Sequence, residues 1–205
     1  MTHYKVLVIG EASNPIQAFG VLEEMLAPYD ENLVCEETWQ EIYEDSLEYY
    51  IKKAAETDTT LIDLLNERFG EVKFEGEKYY YKTTSNPNSE WDWYVLGGRW
   101  SGALGGYLKP NHNTTRVAGG RSGVFDNDTG IDLAFATELD IEKMKSEDFS
   151  VYAILDESGW VSKGDIGWWG ISANDKATWD DEVKEYLTKL VPTPNTFFAV
   201  VDCHI

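Results

Sequence analysis

Thr196-Phe197-Phe198-Ala199-Val200-Val201-Asp202-Cys203-His204-Ile205 closes the chain as an aromatic and β-branched run that turns polar only near its end. Such a run reads as a strand. Tyr4-Lys5-Val6-Leu7-Val8-Ile9, followed by Gly10, is its counterpart at the start, short and almost wholly apolar. That pattern belongs to a buried central strand rather than a half-exposed one. The fold expected from these two ends is α+β: a mostly antiparallel sheet with the first and last strands central, helices packed on it, and a long Gly-rich loop.

Working inward, Pro15 opens a helix through Leu26 that ends before Pro28. Thr38 with Glu41 forms a capping box, which predicts an amphipathic helix to about Ala55 carrying Trp39, Ile42, Tyr43, Leu47, Tyr50, Ile51 and Ala54. Thr60 and Asp63 repeat the start signal for a second helix, with Leu61, Leu64, Leu65 and Phe69 inward and Gly70 as the stop. Residues 71–84 read as a hairpin, and Asn86-Pro87-Asn88 as a turn. Trp91 and Trp93 alternate with Asp92 and Tyr94 in a strand running into Gly97 and Gly98. Residues 102–130 lack sustained periodicity and read as loop. A second hairpin follows at 149–155 and 159–162. Ser172 or Asn174 then caps a last helix bearing Trp179, Val183, Leu187 and Leu190. The expected organisation is one domain over 1–205, with the helical segment 36–70 as an insertion.

Charge divides the chain unevenly. Lys and Arg number 17 against 37 Asp and Glu, a formal net charge of −20. Phosphate repels such a surface, so direct nucleic-acid binding is not expected. Residues 6–51 hold eleven acids and no Lys or Arg, whereas residues 93–125 contain no Asp or Glu at all. That acid-free window carries Arg99, Lys109, Arg116, Arg121 and His112, with eight glycines among its 33 residues. It reads as a place made for an anion. Two cysteines far apart imply no disulfide framework, and no run approaches the ~18 apolar residues of a membrane span. With no signal peptide evident, the expectation is a soluble cytosolic protein without membrane association.

Gly97, Gly98 and Arg99 are the densest candidate site: glycines admit backbone N–H groups to an anion, and Arg99 can fork two hydrogen bonds to phosphate or carboxylate. Trp91, Trp93 or Trp100 offers a face for stacking a base. Gly120 and Arg121 repeat the idea, so two turns can clamp both ends of a ligand such as a cyclic dinucleotide. Trp168 and Trp169, set between glycines, supply an aromatic wall. A core strand entering a glycine turn explains the first segment as simply, and a surface loop the second. Asp202 and His204 share one face of the last strand, so the acid can orient the imidazole as a general base, with a nucleophile or water supplied from elsewhere by Ser101 or Asp92, while a structural strand end explains these residues as simply. Cys203 faces the other way. No Walker or dinucleotide fingerprint is present, and no cofactor is implied. Asp126, Asp128 and Asp132 fail calcium-loop spacing, and His3, His112 and His204 show no zinc-ligand spacing, so no metal is expected.

Several of these stretches together resemble a family of proteins from bacteriophage genomes. They are Val6-Leu7-Val8-Ile9-Gly10, Leu26-Ala27-Pro28-Tyr29-Asp30-Glu31, Asn86-Pro87-Asn88-Ser89, Trp91-Asp92-Trp93-Tyr94, Gly97-Gly98-Arg99-Trp100, Gly120 to Gly123, Gly167-Trp168-Trp169-Gly170 and Val200 to Ile205. One departure is Gly164-Asp165-Ile166, where the family commonly has Gly-Glu-Met. The resemblance implies an accessory protein in the cytosol of an infected bacterium, a setting in which counter-defence is a common role by analogy, and brings no catalytic residues. Three readings follow: a protein that sequesters a nucleotide-like anionic small molecule, an enzyme that cleaves or modifies such a ligand through His204 and Asp202, and an acidic inhibitor occupying a basic surface of a host defence protein. A second copy of the chain, in a homo-oligomer, is the remaining partner considered.

Overall fold

The computed structural model describes residues 2–110, 131–147, 149–166 and 172–205. In chain order the elements are β1 (His3–Glu11), α1 (Pro15–Leu26), β2 (Thr38–Glu41), α2 (Glu44–Glu56), α3 (Leu61–Phe69), β3 (Val72–Glu75), β4 (Lys78–Thr83), β5 (Trp93–Leu96), β6 (Leu133–Phe135), α4 (Ile141–Ser146), β7 (Ala153–Asp156), β8 (Gly159–Ser162), β9 (Asp165–Ile166), β10 (Ser172–Ala173), α5 (Trp179–Lys189) and β11 (Thr196–His204). They fall into two compact units, one comprising the chain to Glu31 together with Asn88–Ile205, the other Asn32–Pro87.

The first unit is built on a mixed, mostly antiparallel sheet in the order β5-β11-β1-β7-β8, with β6 also pairing β11. β1 and β11 are central, as the two apolar runs require, and pair antiparallel along their whole length from His3↔His204 to Glu11↔Thr196. β1 and β7 form the parallel pair. All nine residues of β11 are buried because both faces of the sheet are covered. On one face Val6, Val8, Phe197, Ala199, Val201 and Cys203 pack with Ala18, Leu22 and Leu26 of α1. On the other, Leu7, Ile9, Phe198 and Val200 pack with Met144 of α4 and with Trp179, Val183 and Leu187 of α5. Helix α1 starts where Pro15 allows it, with the Asn14 side chain accepting the Gln17 N–H. Helix α5 starts later than either expected cap: Thr178 is the N-cap residue, and its hydroxyl donates to Glu182. No described helix is long and apolar enough to cross a membrane.

The second unit is a three-stranded antiparallel sheet, β2-β4-β3, with α2 and α3. The β3–β4 hairpin turns at Gly76 and Glu77, both at positive φ, and α3 is capped by Thr60 as expected. The helix predicted from Thr38 is corrected. Residues Thr38–Glu41 are a strand paired with Tyr80–Thr83. Glu41, read as half of a capping box, instead binds Lys78 across the sheet at 2.8 Å, and Gln40 accepts from the Tyr81 hydroxyl at 2.6 Å. Cross-strand partners thus outweigh a local helix-start pattern. The helix begins at Glu44, with Glu44 and Asp45 in its first turn, where acids favour the positive end of the helix dipole.

One flank of the first unit contains a carboxyl group with an unusual titration. Glu90 is half-buried, and burial, then Asp165, push its pKa up to about 7. Its backbone carbonyl accepts the hydroxyl of buried Tyr4, which lies edge-on to Tyr152 and Trp160. The folded state therefore holds this proton more tightly than the unfolded chain, and stability falls as pH rises between about 4.5 and about 7. Glu90→Gln is expected to raise stability at pH 8 by ~1–2 kcal/mol, discounted for solvent screening, and to leave it unchanged at pH 4. Urea midpoints at the two pH values check this; a loss of stability at pH 8 would show that the ionised carboxylate is used.

Candidate functional site

The segment after β5 is shaped by two carboxylates. β5 pairs with β11 from Trp93↔His204 to Leu96↔Val201, and the Gly97 N–H continues the ladder by donating to Val200 at 2.8 Å. Gly97 then takes φ 74° and Gly98 φ 52°, a region that disfavours side chains. A Cβ on Gly97 would fall well inside contact distance of the Asp132 carboxylate, and one on Gly98 inside that of Asp202. Both acids are buried, at 0% and 2% exposure.

These acids take the donors that the turn presents. The Arg99 N–H donates to Asp202 Oδ2 at 2.9 Å. The Gly102 N–H donates to Asp132 Oδ1 at 2.6 Å, and the Ser101 hydroxyl to Asp132 Oδ2 at 2.9 Å. The acid-free window does wrap anions, and those seen here are the protein's own. Buried carboxylates require such donors, since an unpaired one carries a large desolvation cost. Of the backbone N–H groups expected to meet a ligand at Gly97–Arg99, those of Gly97 and Arg99 are already engaged. The Arg99 side chain is exposed and makes no ion pair among the described residues.

At the polar end of the same sheet face, register brings together residues distant in sequence. His3 lies opposite His204, and Lys5 opposite Asp202. His3 Nδ1 contacts Asp202 Oδ1 at 2.7 Å, and His204 Nδ1 contacts Asp92 Oδ1 at 2.6 Å. With Nδ1 against a carboxylate in both rings, each Nδ1–H donates and Nε2 is left on the far side. The ring centres are 4.9 Å apart with planes at 74°. Trp93 stacks on His204 at 5.1 Å and 19°, meets His3 edge-on at 5.1 Å, and is 43% exposed. Lys5 lies over the Phe149 ring at 5.3 Å, and burial lowers its pKa.

The pairing of Asp202 with His204 is thus corrected: the acid orients His3, while His204 is held by Asp92. Asp202 meets the diagonal residue across the ladder, His3, rather than its neighbour along the strand. Sequence reasoning passed over His3. The parity of β1 and its antiparallel pairing with β11 were the signal that would have found it. Cys203 does face the opposite core, where burial raises its thiol pKa well above the usual value. Trp91 is a core residue, its indole N–H donating to the Leu26 carbonyl at 3.2 Å. Trp100 is half-buried against the α4–α5 side. Gly120, Arg121, Trp168 and Trp169 lie outside the described residues, as do Asp126 and Asp128. No group of three or more potential metal ligands occurs among the described residues. A cleft of about 420 Å³ opens at the other end of β1, lined by Glu11, Met25, Asp156, Tyr186 and Pro192 among others; it contains none of the imidazoles.

Comparison with protein families, curated proteins and solved structures finds no match, so no residue role comes to this chain from a relative. The two-carboxylate turn makes its own prediction. Gly98→Ala should cost ~2–4 kcal/mol, from positive φ and from displacement of Asp202. Chemical denaturation checks this, with Gly106→Ala as the control, because no atom lies within 4 Å of a Cβ there. Equal stability of the two variants would show that the turn tolerates a shifted carboxylate.

Proposed function

We propose that the end of the sheet formed by His3, His204, Trp93 and Arg99 binds an anionic, nucleotide-like small molecule. One observation carries this reading: a half-exposed indole face lies beside two imidazoles that carboxylates orient from behind. Neither ring's Nε2 has a partner among the described residues. Base stacking on Trp93 contributes ~1–3 kcal/mol. The Arg99 side chain, leaving a backbone anchored on Asp202, supplies a charged fork for phosphate. The likeness of the sequence to phage proteins supports sequestration of a host signal molecule as the biological role, within the infected cell's cytosol.

Thermal melting with cyclic dinucleotides and ADP-ribose derivatives tests this. A ligand present at a hundred times its Kd adds ~2.7 kcal/mol to stability. Trp93→Ala and Arg99→Ala should each weaken binding by about 5- to 150-fold, since the lost stacking or charge-assisted contact is worth ~1–3 kcal/mol. Absence of any stabilisation at millimolar nucleotide contradicts the proposal.

A feature of the second unit favours a second reading, an acidic inhibitor of a host defence protein. Helix α2 has no fully buried residue. Tyr43 at its N-cap and Tyr49 and Ile51 along it are exposed, interleaved with Glu44, Asp45 and Glu48. Aromatic side chains set among acids suit a basic protein surface. Charge reversal at Glu44, Asp45 and Glu48 should then abolish a salt-sensitive complex that Arg99→Ala leaves intact, as read by pull-down with basic nucleic-acid-binding host proteins. Glu41 is a poorer site for this test, because its carboxylate is engaged with Lys78.

A further inference from the structure

We infer that His3 and His204 form an acid–base pair that hydrolyses a phosphodiester bond in the ligand bound beside them. This rests on the binding reading above and adds a reaction to it. A site that only held an anion would need donors. Imidazoles whose Nδ1–H groups are spent on Asp202 and Asp92 present, when neutral, a lone pair at Nε2, which repels phosphate oxygens. Two imidazolium rings with centres 4.9 Å apart repel one another. The singly protonated pair avoids both penalties. It offers one acceptor and one donor, the two functions that acid–base hydrolysis of a phosphodiester calls on.

The step balances without a metal or redox partner. The neutral imidazole takes a proton from water through Nε2 as the water oxygen bonds to phosphorus. The protonated imidazole gives its Nε2 proton to the leaving oxygen as the phosphorus–oxygen bond breaks. One water is consumed, and the products are a phosphomonoester and an alcohol. The two rings exchange protonation states and reset through solvent. Asp202 and Asp92 act as positioning residues, fixing both tautomers and stabilising whichever ring is charged. Asp202 is also tied to the Arg99 backbone N–H, so one carboxylate fixes both that backbone and the His3 ring. Trp93, stacked on His204, places a base on the flank of the phosphate. Lys5, opposite Asp202 in register, and Asp132, bound at the same turn, are further charged groups on this face.

The experiment incubates the full chain with cyclic di-AMP, cyclic di-GMP and cyclic GMP–AMP, follows products by chromatography, and measures binding of the same probes by calorimetry. The expected result is ring opening of at least one probe to a linear phosphomonoester, with a bell-shaped dependence of kcat/KM on pH. His3→Ala and His204→Ala should each lower kcat, measured at saturating probe, by ~10²–10⁴-fold and each remove one limb of the bell, a loss separate from whatever the missing ring takes from Kd. Because both rings are largely enclosed, Asp92→Asn provides a gentler variant: it keeps the shape of the partner, and turnover should fall while binding and melting temperature hold. A probe that binds and is recovered intact overturns the cleavage inference and leaves the binding reading standing. No binding by any probe overturns both. Turnover that persists in the His3→Ala/His204→Ala double variant overturns the assignment to these rings.

Discussion

The buried carboxylate of Asp202 is the constraint around which the polar end of the sheet is arranged. It sits on a strand whose other residues are also buried, most of them apolar, so it must be surrounded by donors or be expelled. Three features answer that demand. Gly98 yields the space a side chain would fill, Arg99 donates its backbone N–H, and His3 approaches from β1. Asp132 repeats the arrangement one residue earlier, under Gly97. The Gly-Gly-Arg turn is therefore a structural wrapping of two internal anions. Its outward side, carrying the Arg99 side chain, is what remains to meet a ligand.

This changes the meaning of the acid-free window. Depletion of carboxylates over residues 93–125 in a strongly acidic chain does report a region built for negative charge. Within the described part of it, that charge enters from outside the window, on Asp132 and Asp202. Further acids in the turn would compete for the same few donors and repel the buried pair. At Gly97–Gly102 the local composition follows from the electrostatics of the fold before any ligand is considered. The functional proposal accordingly rests on Trp93 and the two imidazoles more than on the glycines.

Much of the fold was legible because its signals are local. The apolar runs of β1 and β11, the Pro15 and Thr60 helix starts, the Gly70 stop and both hairpins each carry a period or a punctuating residue within a few positions. What failed was non-local. Thr38 and Glu41 satisfy a capping box in sequence, yet β4, some forty residues away, draws them into a strand through the Thr38–Thr83 pairing and the Lys78–Glu41 contact. The site divides in the same way. Trp93, Arg99, Asp202 and His204 were visible as residues of the right chemistry, and parity placed Asp202 and His204 on one face. The pairing was hidden, because His3 reaches Asp202 only through strand register, and Asp92, named as a candidate, was not seen as the acid that holds His204. His3 had been set aside for want of metal-ligand spacing, although its imidazole lies beside that of the last strand.

The most direct measurement is histidine-resolved ¹⁵N NMR of the protein with and without cyclic di-AMP. If this end of the sheet receives the ligand, His3 and His204 will both show a protonated Nδ1, and their Nε2 resonances will shift on titration together with the Trp93 indole signal. Nε2 resonances and an indole signal that stay still while the ligand binds elsewhere would contradict the account, as would Nε2–H tautomers in the free protein.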